Sequence, residues 1–367
     1  MKRLIQENIA LSPLTTLGIG GPARYFAEAR GEDAVLEAIE FAETRELPLM
    51  ILGGGSNLLV SDGGFPGLVL QVGIGGLNLT DTGQGFLIRA GSGIDWDQVV
   101  AQSVEQNLYG IECLSGIPGW AGGTPIQNVG AYGQEVSEVI TAVRVYDRQE
   151  GIVRELCWED CSFSYRSSVF NTTARGRHIV LVVEYDLKNK GRPKTDYPDL
   201  KRYFDGHSDP NLAEVREAVQ NIRASKAMLR MKGDPDCASA GSFFKNPIMD
   251  EAAYTELVAL ARKGGILAAD EDIPHYRFAD GLTKVPAAWL IECAGYKKGV
   301  SDGPVGLSEK HVLAVINRGG AKAEDVLRFA GDIQSSVEDR LGVRLVTEPV
   351  FAGFSDEVIA RFSAVRA

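Results

Sequence analysis

Two glycine-rich stretches constrain this chain more than any other feature. The first, Gly53-Gly54-Gly55-Ser56-Asn57, follows directly on Leu47-Pro48-Leu49-Met50-Ile51-Leu52, which reads as a buried strand. The second runs Ser115-Gly116-Ile117-Pro118-Gly119-Trp120-Ala121-Gly122-Gly123 and on through Pro125-Ile126-Gln127-Asn128-Val129-Gly130-Ala131-Tyr132-Gly133. A strand that ends in consecutive glycines exposes backbone N–H groups that favour a phosphate or pyrophosphate. A plain tight connection uses the same residue types, so the first turn alone leaves both readings open. It is not a Walker loop, because no Gly-Lys-Ser/Thr follows, and its spacing departs from Gly-x-Gly-x-x-Gly. Two approachable main-chain surfaces in one chain, however, can grip both the pyrophosphate and the ring of a long cofactor. The total of 42 glycines in 367 residues agrees, since each marks a place where the main chain can take positive φ or approach a ligand closely.

Around these stretches helical and extended patterns alternate. Glu32 to Ala42 places Val35, Leu36, Ile39 and Ala42 on one helical face, and Gly67 to Val72 and Phe86 to Gly91 read as strands. Asp95 suits the cap of a helix that runs to Tyr109-Gly110. Val143 to Tyr146 and Ile179 to Tyr185 are strand-like, Lys188 to Pro198 is a Lys/Gly/Pro-rich surface loop, and Val215 to Lys226 reads as a helix. Beyond Met231 the helix candidates are Glu251 to Lys263, Ala287 to Cys293 and Ala323 to Leu341. This order predicts an α+β protein with a separate C-terminal α/β domain. The expected boundaries are 1–72 and 73–230 for two lobes of a cofactor-binding region, 231–350 for a substrate-binding domain and 351–367 for a tail.

Composition removes whole classes of function. With 38 Lys and Arg against 49 Asp and Glu the net charge is -11, and no basic tract interrupts it, so no nucleic-acid partner is expected. No apolar run approaches the roughly 20 residues that span a bilayer, so no membrane partner is expected. The N-terminal Met1-Lys2-Arg3 stretch meets Glu7 before an apolar region develops, which predicts a cytoplasmic protein without a secretory signal. Cys113, Cys157, Cys161, Cys237 and Cys293 include no Cys-x-x-Cys pair and read as reduced thiols. His178, His207, His275 and His311 share no helical spacing, so no metal site is expected.

The glycine stretches, with Thr15-Thr16-Leu17-Gly18-Ile19-Gly20-Gly21-Pro22-Ala23 before them and Thr347-Glu348-Pro349-Val350 near the end, resemble the UDP-N-acetylmuramate dehydrogenase, or UDP-N-acetylenolpyruvoylglucosamine reductase, family along nearly the whole chain. That resemblance implies a two-lobed FAD-binding region of the vanillyl-alcohol-oxidase-like type, non-covalent FAD, NADPH as reductant, and a UDP-sugar carrying an enolpyruvyl group as substrate, turned over by a monomer. It implies flavin contacts from Gly53, Gly54, Gly55, Ser56, Asn57, Leu58, Ile117, Pro118, Gly119, Gln127, Asn128, Gly130, Ala131 and Tyr132. Within Ser164-Tyr165-Arg166-Ser167 it makes Arg166 catalytic, within Gly241-Ser242-Phe243-Phe244-Lys245-Asn246-Pro247 it makes Ser242 the proton donor, and it makes Glu348 the catalytic glutamate. Tyr197 matches a loop tyrosine that covers substrate in the longer type of this enzyme, and Lys226 and Asn246 match positions that help bind substrate or the nicotinamide cofactor. Trp120 and Thr124 depart from the pattern, being larger than is comfortable beside a flavin.

The residue types suit that chemistry. Hydride delivered to the terminal methylene of an enolpyruvyl ether drives negative charge into an already anionic carboxylate. A permanently charged guanidinium at Arg166 and a further hydrogen bond from a protonated Glu348 would stabilise the dianion, and a hydroxyl at Ser242 would protonate the α-carbon. Two rivals keep the same cradle: another flavin-dependent oxidase, and a non-catalytic sugar-nucleotide-binding module.

Overall fold

A computed structural model of the chain describes residues 4–206, 209–268 and 270–363. His207 and Met1-Lys2-Arg3 lie outside the described residues. The chain divides into two compact units, and neither is continuous in sequence. The first comprises Met1–Ile9, Ala23–Gly55 and Pro66–Ser225, the second Ala10–Pro22, Ser56–Phe65 and Lys226–Ala367. Contiguous boundaries at 72 and 230 therefore do not describe the packing, because two short N-terminal segments fold with the C-terminal part.

The first unit holds two sheets. One has the order Ile5–Ala10, Pro22–Ala29, Phe65–Val72, Leu49–Leu52, with the last pair parallel. Helix α1 (Glu32–Glu43) covers it, burying Val35, Ala38, Ile39 and Ala42 against Leu68, Leu70 and Val72. The other sheet has the order Ile152–Cys157, Ile140–Asp147, His178–Lys188, Gly85–Gly91, Leu77–Asp81, every pair antiparallel. Helix α2 (Trp96–Glu105) packs there through Trp96, Val99 and Val100, its start capped where the Asp95 carboxylate accepts from Gln98 N at 3.2 Å. A register shift opposite Arg144 and Val145 lets the long strand serve both cores. Ile179 and Leu181 enter the first, Val183, Tyr185 and Leu187 the second. Helices α3 (Pro198–Tyr203) and α4 (Leu212–Ser225) close a third, smaller cluster of Cys113, Leu200, Val215, Val219 and Ile222.

In the second unit an antiparallel sheet of order Ser239–Ser242, Ala314–Asn317, Val305–Leu307, Ser301–Asp302 carries helices α5 (Glu251–Lys263), α6 (Ala287–Cys293) and α7 (Ala323–Leu341). Val326, Phe329, Ala330, Ile333, Val337 and Leu341 form the buried stripe of α7 at helical spacing. The N-terminal segments join this core through Leu17, Ile19 and Leu59, and Thr16 Oγ1 donates to Ser239 O at 2.7 Å. The stretch expected to be a tail begins instead in the strand Val350–Ala352, parallel to Leu58–Val60, and continues into helix α8 (Asp356–Ser363).

Candidate active site

In the first unit the two glycine stretches meet. A Cβ added to Gly54 would lie 3.0 Å from Gly119 Cα and 3.2 Å from Trp120 Cδ1, so a side chain here would push the two main chains apart by a few tenths of an ångström. At Gly53 nothing stands within 4 Å of such a Cβ, leaving that side of the strand end open to a ligand. Main chain bare of side chains beside open space is the kind of surface that suits the phosphates of a flavin nucleotide. Ser56, Asn57 and Leu58 belong to the second unit. Thr124, expected to crowd a flavin, is buried, donates to Ala121 O and shares a 2.8 Å hydrogen bond with the Tyr185 hydroxyl. Trp120 lies close over Gly54, whose missing side chain leaves it room.

The stretch after Gln127 forms a small hairpin in which Gly130–Ala131 pairs with Gln134–Glu135 and Tyr132-Gly133 makes the tip. Asn128 is buried and its side chain is fully engaged. Its amide donates to Glu135 Oε2 at 2.7 Å and Ser164 O at 3.1 Å, and its Oδ1 accepts from Ser137 N at 3.1 Å. Asn128 thus ties the hairpin to the Ser164–Ser167 turn, which carries Arg166 at its tip. That turn is closed by reciprocal Ser164 and Ser167 main-chain bonds of 3.0 and 3.1 Å, and Arg166 Nη2 donates to Gly130 O at 2.8 Å. Tyr132 meets the ring of Tyr197 edge-on, with centroids 5.5 Å apart and planes at 87°. Burial pushes the Tyr132 hydroxyl up to about 12 and also raises that of Tyr197.

Behind Tyr132 stands Arg223, buried on α4 and hydrogen-bonded to the Tyr132 hydroxyl. Desolvation lowers its guanidinium pKa, and the neighbouring positive charge of Arg166 lowers it further. Sequence reasoning passed over Arg223, although its signal was present: it falls on the apolar stripe of Val215, Val219 and Ile222, where a cation is out of place.

In the second unit Ser242 ends the strand Ser239–Ser242, beyond a register shift between the pairs Ser239↔Ile316 and Ser242↔Ala314. Gly241, at φ 74°, absorbs this irregularity. The next two residues, Phe243 and Phe244, are buried and anchor the segment. Phe243 O accepts from Glu348 N at 2.9 Å, Phe244 bridges Thr347, and Lys245 N donates to Val346 O at 2.9 Å. Ser242 and Glu348 are in this way brought to neighbouring positions on paired main chain from 106 residues apart in sequence (348 − 242). Asn57 joins them, its amide donating to Glu348 O at 3.3 Å and its carbonyl accepting from Val350 N at 3.0 Å. Asn246 Oδ1 accepts from Ala287 N at 2.9 Å and so caps α6, while Lys226 opens the C-terminal segment of this unit. No group of three His, Cys, Asp or Glu side chains able to hold a metal occurs among the described residues.

The comparisons with known proteins match two successive parts of the chain. Residues 23–156 match the FAD binding domain and residues 234–352 the C-terminal domain of UDP-N-acetylenolpyruvoylglucosamine reductase. The UDP-N-acetylenolpyruvoylglucosamine reductase of Thermobifida fusca is 43% identical over 355 residues, covering 95% of this chain and 98% of that protein. The chain belongs to the UDP-N-acetylenolpyruvoylglucosamine reductase family. The relative from Saccharopolyspora erythraea is 44% identical over 348 residues, covering 93% of this chain and 94% of its own. The crystal structure of the Thermus caldophilus reductase matches with a TM-score of 0.61 at 25% identity, over 95% of this chain and 99% of that one. The resemblance read from the motifs is therefore correct, and the chain is an FAD-dependent oxidoreductase of this reductase family with an α+β fold.

Proposed function

We propose that this reductase uses NADPH to reduce the enolpyruvyl group of UDP-N-acetylglucosamine enolpyruvate, giving UDP-N-acetylmuramate for peptidoglycan synthesis. The observation that best supports this reading is the main-chain bond from Glu348 N to Phe243 O, one residue beyond Ser242. Bound FAD supplies the two-electron storage that passes reducing equivalents from one substrate to the other. The chain's own residues then handle charge and protons. Arg166, oriented by its bond to Gly130 O, offers a fixed guanidinium to the substrate carboxylate as negative charge builds on it. A protonated Glu348 would donate a further hydrogen bond to that anion, and the Ser242 hydroxyl delivers the proton to the α-carbon. Gln127, Asn128, Gly130, Ala131 and Tyr132 shape the flavin side, Asn128 through main chain alone because its side chain is engaged. Tyr197 covers the substrate, and Lys226 and Asn246 help bind it.

The enzyme works in this reading as a cytoplasmic monomer, and through the peptidoglycan precursor it serves cell shape and division. No helix among the described residues is long and apolar enough to cross a membrane. The test is spectroscopic. Purified protein should show flavin absorption bands that bleach with NADPH under anaerobic conditions and return on adding the enolpyruvyl UDP-sugar. Colour recovery with oxygen but not with that substrate would favour a flavin oxidase instead.

A further inference from the structure

Glu112 is 1% exposed, among the most deeply buried carboxylates in the first unit, yet it lies on no strand end or turn that the chemistry above uses. Its two oxygens collect three donors from three separate stretches of chain. Oε2 accepts from Gly110 N at 2.8 Å, and Oε1 accepts from Gln134 Nε2 at 2.8 Å and from Lys194 N at 3.0 Å. Gln134 belongs to the hairpin whose tip is Tyr132, and Lys194 stands three residues before Tyr197. Two more bonds, one buried and one partly so, complete the ring. Cys113 N donates to Gln134 Oε1 at 2.8 Å, and Cys113 Sγ donates to Lys194 O at 3.1 Å. Burial, aided by the adjacent Glu112 carboxylate, raises the Cys113 pKa and keeps it the thiol that this donation requires. The outer Lys194 Nζ to Glu138 pair, at 3.1 Å, is solvent-exposed and adds little.

We propose that Glu112 is a positioning residue for the reduction, holding the Tyr132 hairpin and the Tyr197 segment in one fixed relation so that Tyr197 meets substrate already ordered. This rests on the reading of Tyr197 as the residue that covers substrate. A carboxylate is needed because three N–H donors converge on acceptor-only oxygens, whereas an amide must turn its NH2 toward one of them. The edge contact between Tyr132 and Tyr197 is the visible result. Loosening the ring of bonds would return the Lys188 to Pro198 segment to a conformational ensemble that binding must order again, weakening substrate affinity, while the Asn128 bonds to Glu135, Ser137 and Ser164 and the hairpin's own pairing keep the flavin side in place.

Glu112→Gln, assayed as the FAD-loaded enzyme, should raise KM for the enolpyruvyl UDP-sugar by roughly ten- to a hundredfold while anaerobic reduction by NADPH keeps its wild-type rate. Independently of turnover, trypsin should nick the substrate-free variant faster after Lys190 or Lys194. Cys113→Ala, which removes one tether and leaves the carboxylate buried, should show both effects to a smaller degree. Unchanged nicking in both variants, or an equal slowing of both half-reactions, overturns the proposal. A Tyr197→Ala control with unaltered KM overturns the substrate-covering reading itself, and the nicking assay separates the two failures.

Discussion

Three of the residues expected at the site hold backbone conformations that L side chains adopt reluctantly: Asn128 at φ 44°, Tyr132 at φ 48° and Arg166 at φ 53°. Such strain costs on the order of 1 kcal/mol each and persists where the surroundings enforce it, as Asn128 does here by bonding Glu135, Ser137 and Ser164. Close approach is the other residue-scale constraint. Gly54→Ala would press a methyl group against Gly119 and Trp120, at an overpacking cost of roughly 1–3 kcal/mol. The expected result is faster flavin loss on dilution, read as recovered flavin fluorescence, with the far-ultraviolet spectrum unchanged; flavin retention equal to wild type would contradict the cradle. At this scale the sequence showed which residue types carry the chemistry but not where their side chains turn. Thr124 looked like an obstacle to flavin and instead bonds Tyr185 in the core, and Asn246 caps α6. Arg223 and Glu112 escaped notice because a charged residue acquires meaning only when distant partners surround it.

Elements with a strong local period were the most legible. Helices α5, α6 and α7 begin and end where the apolar spacing predicts, and Asp95 caps α2 as read. Strands Ile5–Ala10 and Ile152–Cys157 went unread because they expose most of their residues and show no clear alternation. Helix α3 starts at a proline inside a stretch that composition marks as loop, and α8 lies in the expected tail. The start of α7 depends on a residue 261 positions away: the Asp62 carboxylate accepts from Ala323 N at 2.8 Å and Glu324 N at 3.2 Å. Asp62→Ala should therefore lower stability by about 1 kcal/mol in urea unfolding, the scale of a lost N-terminal cap, while Asp62→Asn retains most of it. Equal stability of all three proteins would remove Asp62 from that role.

For the molecule as a whole, the interleaving of the two units could not be seen in sequence, since Ala10–Pro22 and Ser56–Phe65 carry no composition that distinguishes them from their neighbours. What joins them to the C-terminal part is pairing, such as Leu58–Val60 against Val350–Ala352, that only the fold creates. Stability against acid is also a property of the whole. In Asp147, whose side chain is fully buried, the paired bonds from Arg177 at 2.8 and 2.6 Å hold the carboxyl well below the ordinary carboxylate range against the opposing effect of burial. A carboxyl depressed in the folded state stabilises fully above its unfolded pKa near 4 and loses that contribution as pH falls below it. Arg177→Met should accordingly narrow the difference in melting temperature between pH 5 and pH 2, and an unchanged difference would show that the pair does not set acid stability.

In the proposed reaction Ser242 acts only after the flavin has been reduced. Stopped-flow absorbance of Ser242→Ala measures this most directly: bleaching by NADPH should keep its wild-type rate, whereas colour recovery driven by the enolpyruvyl UDP-sugar should slow by at least roughly a hundredfold, the scale of a lost general acid. Recovery at the wild-type rate, or equal slowing of both phases, would contradict it.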